Sequence, residues 1–84
     1  MQINLKYFAS VREALGSGES VALPEGVATV GAVRAWLIAR GEPWAGALAE
    51  GRALRMASNQ RMCDAAAPVA AGDEIAFFPP VTGG

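Results

Sequence analysis

The residues with the most chemical potential are the last eight, Phe77-Phe78-Pro79-Pro80-Val81-Thr82-Gly83-Gly84. Two prolines hold φ near the polyproline value and cannot donate to a sheet ladder. The preceding strand should therefore end at Phe78 or Pro79 and give way to a stiff spacer. Gly83 and Gly84 carry no Cβ, and the six residues 79–84, extended, reach roughly 20 Å at about 3.3 Å per residue. An arm of that length and thinness can carry the Gly84 α-carboxyl into a narrow tunnel on another protein. With a reference pKa of about 3.5, that carboxyl is ionised at neutral pH and is a poor electrophile. Chemistry there calls for activation of the carboxyl, not for a side-chain acid or base. A frayed terminus is also often glycine-rich, but it has no need of two aromatics, two prolines, a spacer and a bare glycine end in that order.

Other candidate chemistries are narrowed by counting. With no histidine and one cysteine, Ser-His-Asp and Cys-His nucleophile systems and Cys/His zinc clusters are excluded. Cys63 has no histidine or helix start beside it and reads as a small buried hydrophobe, not a persulfide carrier. Asp73-Glu74 reads as a turn residue and a solvated strand start, not a metal pair, and no bound cofactor or metal is expected. Arg12-Glu13 reads as a local surface contact. The basic residues Lys6, Arg12, Arg34, Arg40, Arg52, Arg55 and Arg61 are scattered singly in a chain of net charge −1, which argues against nucleic acid as the partner.

The elements that must position the tail follow from periodicity. Ile3, Leu5 and Tyr7 alternate with polar residues as in a half-buried strand. A short helical turn over 8–15 and the break Gly16-Ser17-Gly18 lead to a second strand over 19–23, with Val21 and Leu23 inward and Pro24-Glu25-Gly26 as its end. Thr29 suits an N-cap for a helix over 30–40, with Val30, Val33 and Leu37 on one face and Gly41 as its stop. Pro43 suits the first position of a short helix through Glu50, with Trp44 and Leu48 inward. Strands are expected over 53–58, 61–64 and 74–78, with Asn59-Gln60 as a turn between the first two. Mixed strands around one long helix make an α+β layer fold, and a β-grasp with four to five strands is the leading topology. At 84 residues, 52% apolar and 18% charged, the chain is expected to be one globular domain over 1–84, with 79–84 as its flexible arm. It is too small for a deep enzyme cleft. No leader-like start or apolar run of 18 residues is visible, so a cytoplasmic protein without a membrane partner is expected.

Three segments, Tyr7-Phe8-Ala9-Ser10-Val11-Arg12-Glu13-Ala14-Leu15-Gly16, Ser58-Asn59-Gln60 and Gly72 through Gly84, carry a resemblance over the whole chain. It resembles the small-subunit family of molybdopterin synthase, ubiquitin-like sulfur carriers of molybdenum-cofactor biosynthesis. The resemblance implies that a ubiquitin-activating-type adenylyltransferase uses ATP to convert the Gly84 carboxyl to an acyl-adenylate. Sulfur from a persulfide system would then displace AMP and leave a thiocarboxylate. The resemblance further implies a heterotetramer with the large synthase subunit, in which two carriers deliver sulfur to cyclic pyranopterin monophosphate to form the molybdopterin dithiolene. The chain alone would not be a catalyst.

Strand alternation with Ile75 and Phe77 inward turns Ala76 and Phe78 outward. Phe78, Pro79, Pro80, Val81 and Thr82 are therefore candidate partner contacts, with Met62 and Arg12 as possible extensions and Gly83 as the residue that lets Gly84 enter. Phe8 reads as core filling, as do Trp36 and Trp44. Rival readings share the Gly-Gly end: a thiamin-type sulfur carrier, a ubiquitin-like protein modifier that forms isopeptide bonds, and an interaction domain with an inert tail.

Overall fold

The structure is a computed structural model that describes residues 1–80. Strand β1 (Gln2–Tyr7) buries Ile3, Leu5 and Tyr7 and exposes Gln2, Asn4 and Lys6, as its alternation requires. Helix α1 (Ala9–Leu15) connects it to β2 (Gly18–Ala22), which runs antiparallel to β1 in the register Gln2↔Ala22 to Lys6↔Gly18. Gly18 has to be glycine there, because a Cβ would run into the Leu5 carbonyl oxygen. The chain continues through α2 (Val30–Ile38), α3 (Trp44–Ala47), β3 (Arg55–Ser58), β4 (Arg61–Cys63) and β5 (Glu74–Phe78). The five strands form one sheet in the order β2-β1-β5-β3-β4, with β1 and β5 parallel and the other pairs antiparallel. A mixed sheet packed on one main helix is the α+β, β-grasp arrangement.

The core lies between the inner face of the sheet and α2. Ile3, Leu5, Tyr7, Val21, Ile75 and Phe77 from the strands meet Val30, Val33 and Leu37 of the helix, joined by Val11 of α1 and Leu48. Burying one such side chain contributes about 1.5–3 kcal/mol. Thr29 caps α2 as expected: its Oγ1 accepts from the Ala32 amide at 3.1 Å. Helix α2 stops two residues short of the expected end because the amides of Arg40 and Gly41 bond back three residues to Leu37 and Ile38, tightening the last turn before Gly41 at φ +91°.

Helix α3 is shorter than the expected 43–50, and Arg34 supplies the reason. Arg34 is only 7% exposed. Its guanidinium donates to the Leu48 carbonyl at 2.7 Å, the Ala49 carbonyl at 2.6 Å and the Arg52 carbonyl at 3.1 Å. The Ala49 and Arg52 carbonyls also accept from the Arg52 and Leu54 amides at 2.9 Å, so the chain after Leu48 runs in tight turns around the buried cation, and Pro43 sits at the N-cap, not at the first helical position. Strand β3 starts at Arg55, where pairing with Phe78 begins. Strand β4 ends at Cys63, because the Asp64 side chain accepts from the Ala66 amide and bends the chain. Both Asn59 and Gln60 take positive φ, as a two-residue hairpin turn requires.

Replacing Arg34 by methionine keeps an unbranched stem but leaves the Leu48 carbonyl in the interior without its donor and takes one of two donors from the Ala49 and Arg52 carbonyls. The Arg34→Met variant should lose at least about 2 kcal/mol of unfolding free energy in urea titration. Wild-type stability in that variant would show that the clamp is not needed to hold the α3 region.

Candidate functional site

Parallel pairing of β1 with β5 brings the ends of both strands together, with Tyr7 opposite Phe77. The residues that follow, Phe8 and Phe78, share the outer face of the sheet. Their rings meet edge-to-face, with centroids 6.2 Å apart and planes at 85°, a favoured aromatic geometry. Phe8 is 45% exposed. Ala9 then takes φ +52°, turning the chain into α1 directly after the aromatic side chain. The reading of Phe8 as core filling is thus corrected. The signal that could have found it is the strict alternation of β1, which places Tyr7 inside and the next residue outside.

From this pair a row of apolar residues crosses the outer face. Ala76 lies two residues before Phe78 on the same strand, Ala57 pairs with Ala76, and Met62 pairs with Ala57. Met62 is 60% exposed, whereas Ala76 is only 5% exposed. The expectation that Ala76 is open to solvent holds for its direction only, because a small side chain at the centre of the sheet is shielded by its neighbours. Phe78 is half-buried, partly under Phe8, and Pro79 and Pro80 are half-buried as they leave the sheet. Lys6, opposite Ala76, and Arg55, opposite Phe78, flank the row with positive charge. Arg12 is exposed on α1, one helical turn after Phe8, and makes no side-chain hydrogen bond or ion pair among the described residues. The structure therefore puts Phe78, Pro79, Pro80 and Met62 on or beside one face and Arg12 on the adjoining helix. Val81, Thr82, Gly83 and Gly84 lie outside the described residues.

The inner side of the same sheet end is fixed by a polar cluster that the sequence did not announce. The Glu19 carboxylate accepts from the Tyr7 hydroxyl, the Trp44 indole N–H and the Arg40 guanidinium, each at 3.1 Å. Arg40 also stacks 3.9 Å over the Trp44 ring and 5.6 Å from the Trp36 ring, a cation–π arrangement. Burial alone would raise the Glu19 pKa, but the donors Trp44, Arg40 and Tyr7 outweigh it and hold the carboxyl below its ordinary value. Burial and the Glu19 charge push the Tyr7 phenol well above its usual range, so it stays a hydrogen-bond donor. The cluster pins Tyr7, and through it the backbone from which Phe8 projects.

Two other candidates keep their bland readings. Cys63 packs against the core, and burial together with the Asp64 charge pushes its thiol pKa up, away from the reactive thiolate. Asp73 accepts from the Ala70 amide at 2.8 Å and from the Asn59 side-chain amide at 3.0 Å, which hold its carboxyl below the usual range in a structural turn.

The chain is similar to known proteins along nearly its whole length. The ThiS family matches residues 5–84. The chain is 45% identical to the molybdopterin synthase sulfur carrier subunit of Haemophilus influenzae, and 42% identical to that of Escherichia coli. Each comparison spans 82 residues, 98% of this chain and 99% of the relative. Among solved structures, the putative molybdopterin converting factor subunit 1 of Pyrococcus furiosus superposes with a TM-score of 0.77 at 27% identity, over 96% of this chain and 99% of that one. Small archaeal modifier protein 1 of Haloferax volcanii gives a TM-score of 0.73 at 29% identity, over 95% and 98%.

The Glu19 cluster makes a pH prediction. A carboxyl whose folded-state pKa lies below its unfolded value stabilises the fold above the ordinary glutamate range, about 4.3, and that stabilisation is lost as pH falls through the folded value. In urea unfolding, wild type should be more stable than Glu19→Gln at pH 7, and the gap should narrow toward pH 3. A gap independent of pH would show that Glu19 acts by shape alone.

Proposed function

Because the chain belongs to the ThiS family, we propose that it is the sulfur-carrier small subunit of a molybdopterin synthase, with Gly84 as the residue that carries the sulfur. The observation that carries this reading is the half-exposed Phe8–Phe78 pair at the point where Pro79-Pro80 leads into the Gly83-Gly84 arm. The aromatic pair supplies a rigid apolar anchor for a partner, and the arm supplies reach. Such buried aromatic contacts carry a large share of interface energy.

In this proposal an adenylyltransferase of the ubiquitin-activating type docks on the outer face and takes Gly84 into its active site. The carboxylate attacks the α-phosphate of ATP, pyrophosphate leaves, and an acyl-adenylate forms. A persulfide-derived sulfur then displaces AMP and, after the donor's S–S bond is reduced, leaves a thiocarboxylate. The ionised sulfur is a soft nucleophile at the end of a slender arm. The large synthase subunit next docks on the carrier and receives the arm. Two carriers in a heterotetramer deliver the two sulfurs that convert cyclic pyranopterin monophosphate to the molybdopterin dithiolene. The chain acts as one carrier domain over 1–84 in the cytoplasm, and ATP is consumed by its activating partner. It contributes a sulfur atom and a docking surface; the partner contributes the substrate pocket.

The thiamin-type carrier shares the activation chemistry, and the Phe-Phe-Pro-Pro run at the arm's root is what favours the molybdopterin pathway over it. The protein-modifier reading has one specific observation in its favour, the near-full-length likeness to a small archaeal modifier protein.

Two variants test the proposal. Deleting Gly84 should leave thermal unfolding and large-subunit binding within about twofold of wild type while abolishing thiocarboxylate formation; dithiolene synthesis by the truncated carrier would sink the assignment. Phe78→Asp buries a charge in the docking contact, and should weaken large-subunit binding at least tenfold, about 1.4 kcal/mol, by calorimetry. Unchanged affinity would move the interface elsewhere.

A further inference from the structure

Lysine and arginine differ sharply at this surface. Six of the seven basic side chains are arginines, and Lys6 is the chain's single lysine. A guanidinium stays protonated and does not attack acyl groups, whereas a lysine amine is an acylation target. The remaining amine is the α-amino group of Met1, which donates to the Leu23 carbonyl at 3.0 Å and is partly buried. Lys6 is exposed at the outer face of β1. Its cross-strand neighbours are Gly18 on one side and Ala76 on the other, so neither offers a side chain long enough to cover its stem or a carboxylate to pair with it. The one ion pair among the described residues is Arg40–Glu19, on the other side of the sheet. Gly18 cannot grow a side chain without striking the Leu5 carbonyl, so this flank is kept open by the fold.

The position matters as much as the exposure. Lys6 stands at one end of the row Lys6, Ala76, Ala57, Met62, and Ala76 lies two residues before Phe78 on β5. We propose that Lys6 is the acceptor for the activated C-terminus of a second copy of this chain, and that the resulting isopeptide bond withdraws the modified copy from docking. The inference rests on the proposed activation of Gly84 as an acyl-adenylate. The deprotonated Lys6 Nζ attacks the Gly84 carbonyl carbon, the C–N bond forms, the C–O bond to AMP breaks, AMP leaves and the amine proton passes to solvent. No oxidant or reductant is required. The linkage at Lys6 starts beside Ala76, so a tethered second copy competes with a partner for the apolar row. A docked partner in turn covers Lys6, so acylation and docking compete for one face.

The test uses the full chain with an adenylyltransferase of the ubiquitin-activating type, ATP and Mg²⁺, and no sulfur donor. Adenylation is followed by pyrophosphate exchange, and products by intact mass and tryptic mapping. The expected product is a dimer whose mass is that of two chains less one water. Trypsin does not cut at an acylated lysine, so the acceptor peptide should run over 1–12, carrying residues 62–84 as its branch because no basic residue follows Arg61. Lys6→Arg should reduce dimer per exchange event at least tenfold, and excess large subunit should slow dimer formation in wild type at least fivefold. The purified adduct should bind the large subunit at least tenfold more weakly than the unmodified chain. A branch on Met1, with Lys6 still cut, would overturn the assignment, as would a monomer that has lost water by closing on itself. So would an unaltered monomer while exchange proceeds, or an adduct that binds like unmodified chain. Failure of exchange would overturn the activation of Gly84, and this inference with it.

Discussion

The parallel pairing of β1 with β5 at the centre of the sheet is the constraint on which the site depends. Leu5 opposite Ile75 and Tyr7 opposite Phe77 place the first and last strands side by side and in the same direction. Four of their side chains, Leu5, Tyr7, Ile75 and Phe77, are in the core. A slip of one residue would turn that set out to solvent, so the register is held by burial. The consequence at the strand ends is geometric. Phe8 and Phe78 must leave on the same outer face, and the arm must start beside them.

Two devices keep that corner in place. On the inner side, the Glu19 carboxylate gathers Tyr7, Trp44 and Arg40, tying the end of β1 to the segment after α2. Behind it, Arg34 holds the carbonyls of Leu48, Ala49 and Arg52 around a buried cation. Among the described residues its charge is solvated by backbone dipoles and not by a carboxylate, which avoids a second buried ion. The outer face, by contrast, is built from small or exposed residues. Alanines at 57 and 76 let the sheet present a shallow surface, bounded by Phe8 and Phe78 at one corner and Met62 at the far edge.

Strand identity, the α2 cap and the inward faces were legible because each rests on local periodicity: Ile3, Leu5 and Tyr7 in β1, and Val30, Val33 and Leu37 after Thr29. The outward position of Phe78 was legible for the same reason. What could not be read was anything set by side chains meeting across the fold. The length of α3 depends on Arg34, which is 14 residues away from Leu48 in sequence. The exposure of Phe8 depends on the left-handed turn at Ala9 and on contact with Phe78. The shielding of Ala76 depends on β5 being a central strand, and the tryptophans proved to frame Arg40 as well as to pack. The chemistry proposed for the tail rests on residue order alone, since it belongs to a backbone carboxyl and needs no side chain to announce it.

The role proposed for this fold is to present the Gly84 carboxyl for exchange of oxygen by sulfur. The direct measurement is an exact-mass spectrum of the intact chain and of its C-terminal peptide after incubation with ATP, an activating enzyme and a sulfur donor. Exact mass is needed because sulfur for oxygen and a sulfoxide at Met1, Met56 or Met62 give nearly the same nominal gain. Sulfur localised to Gly84 is the expected result. An unmodified terminus, with the enzyme active on another carrier, would contradict it.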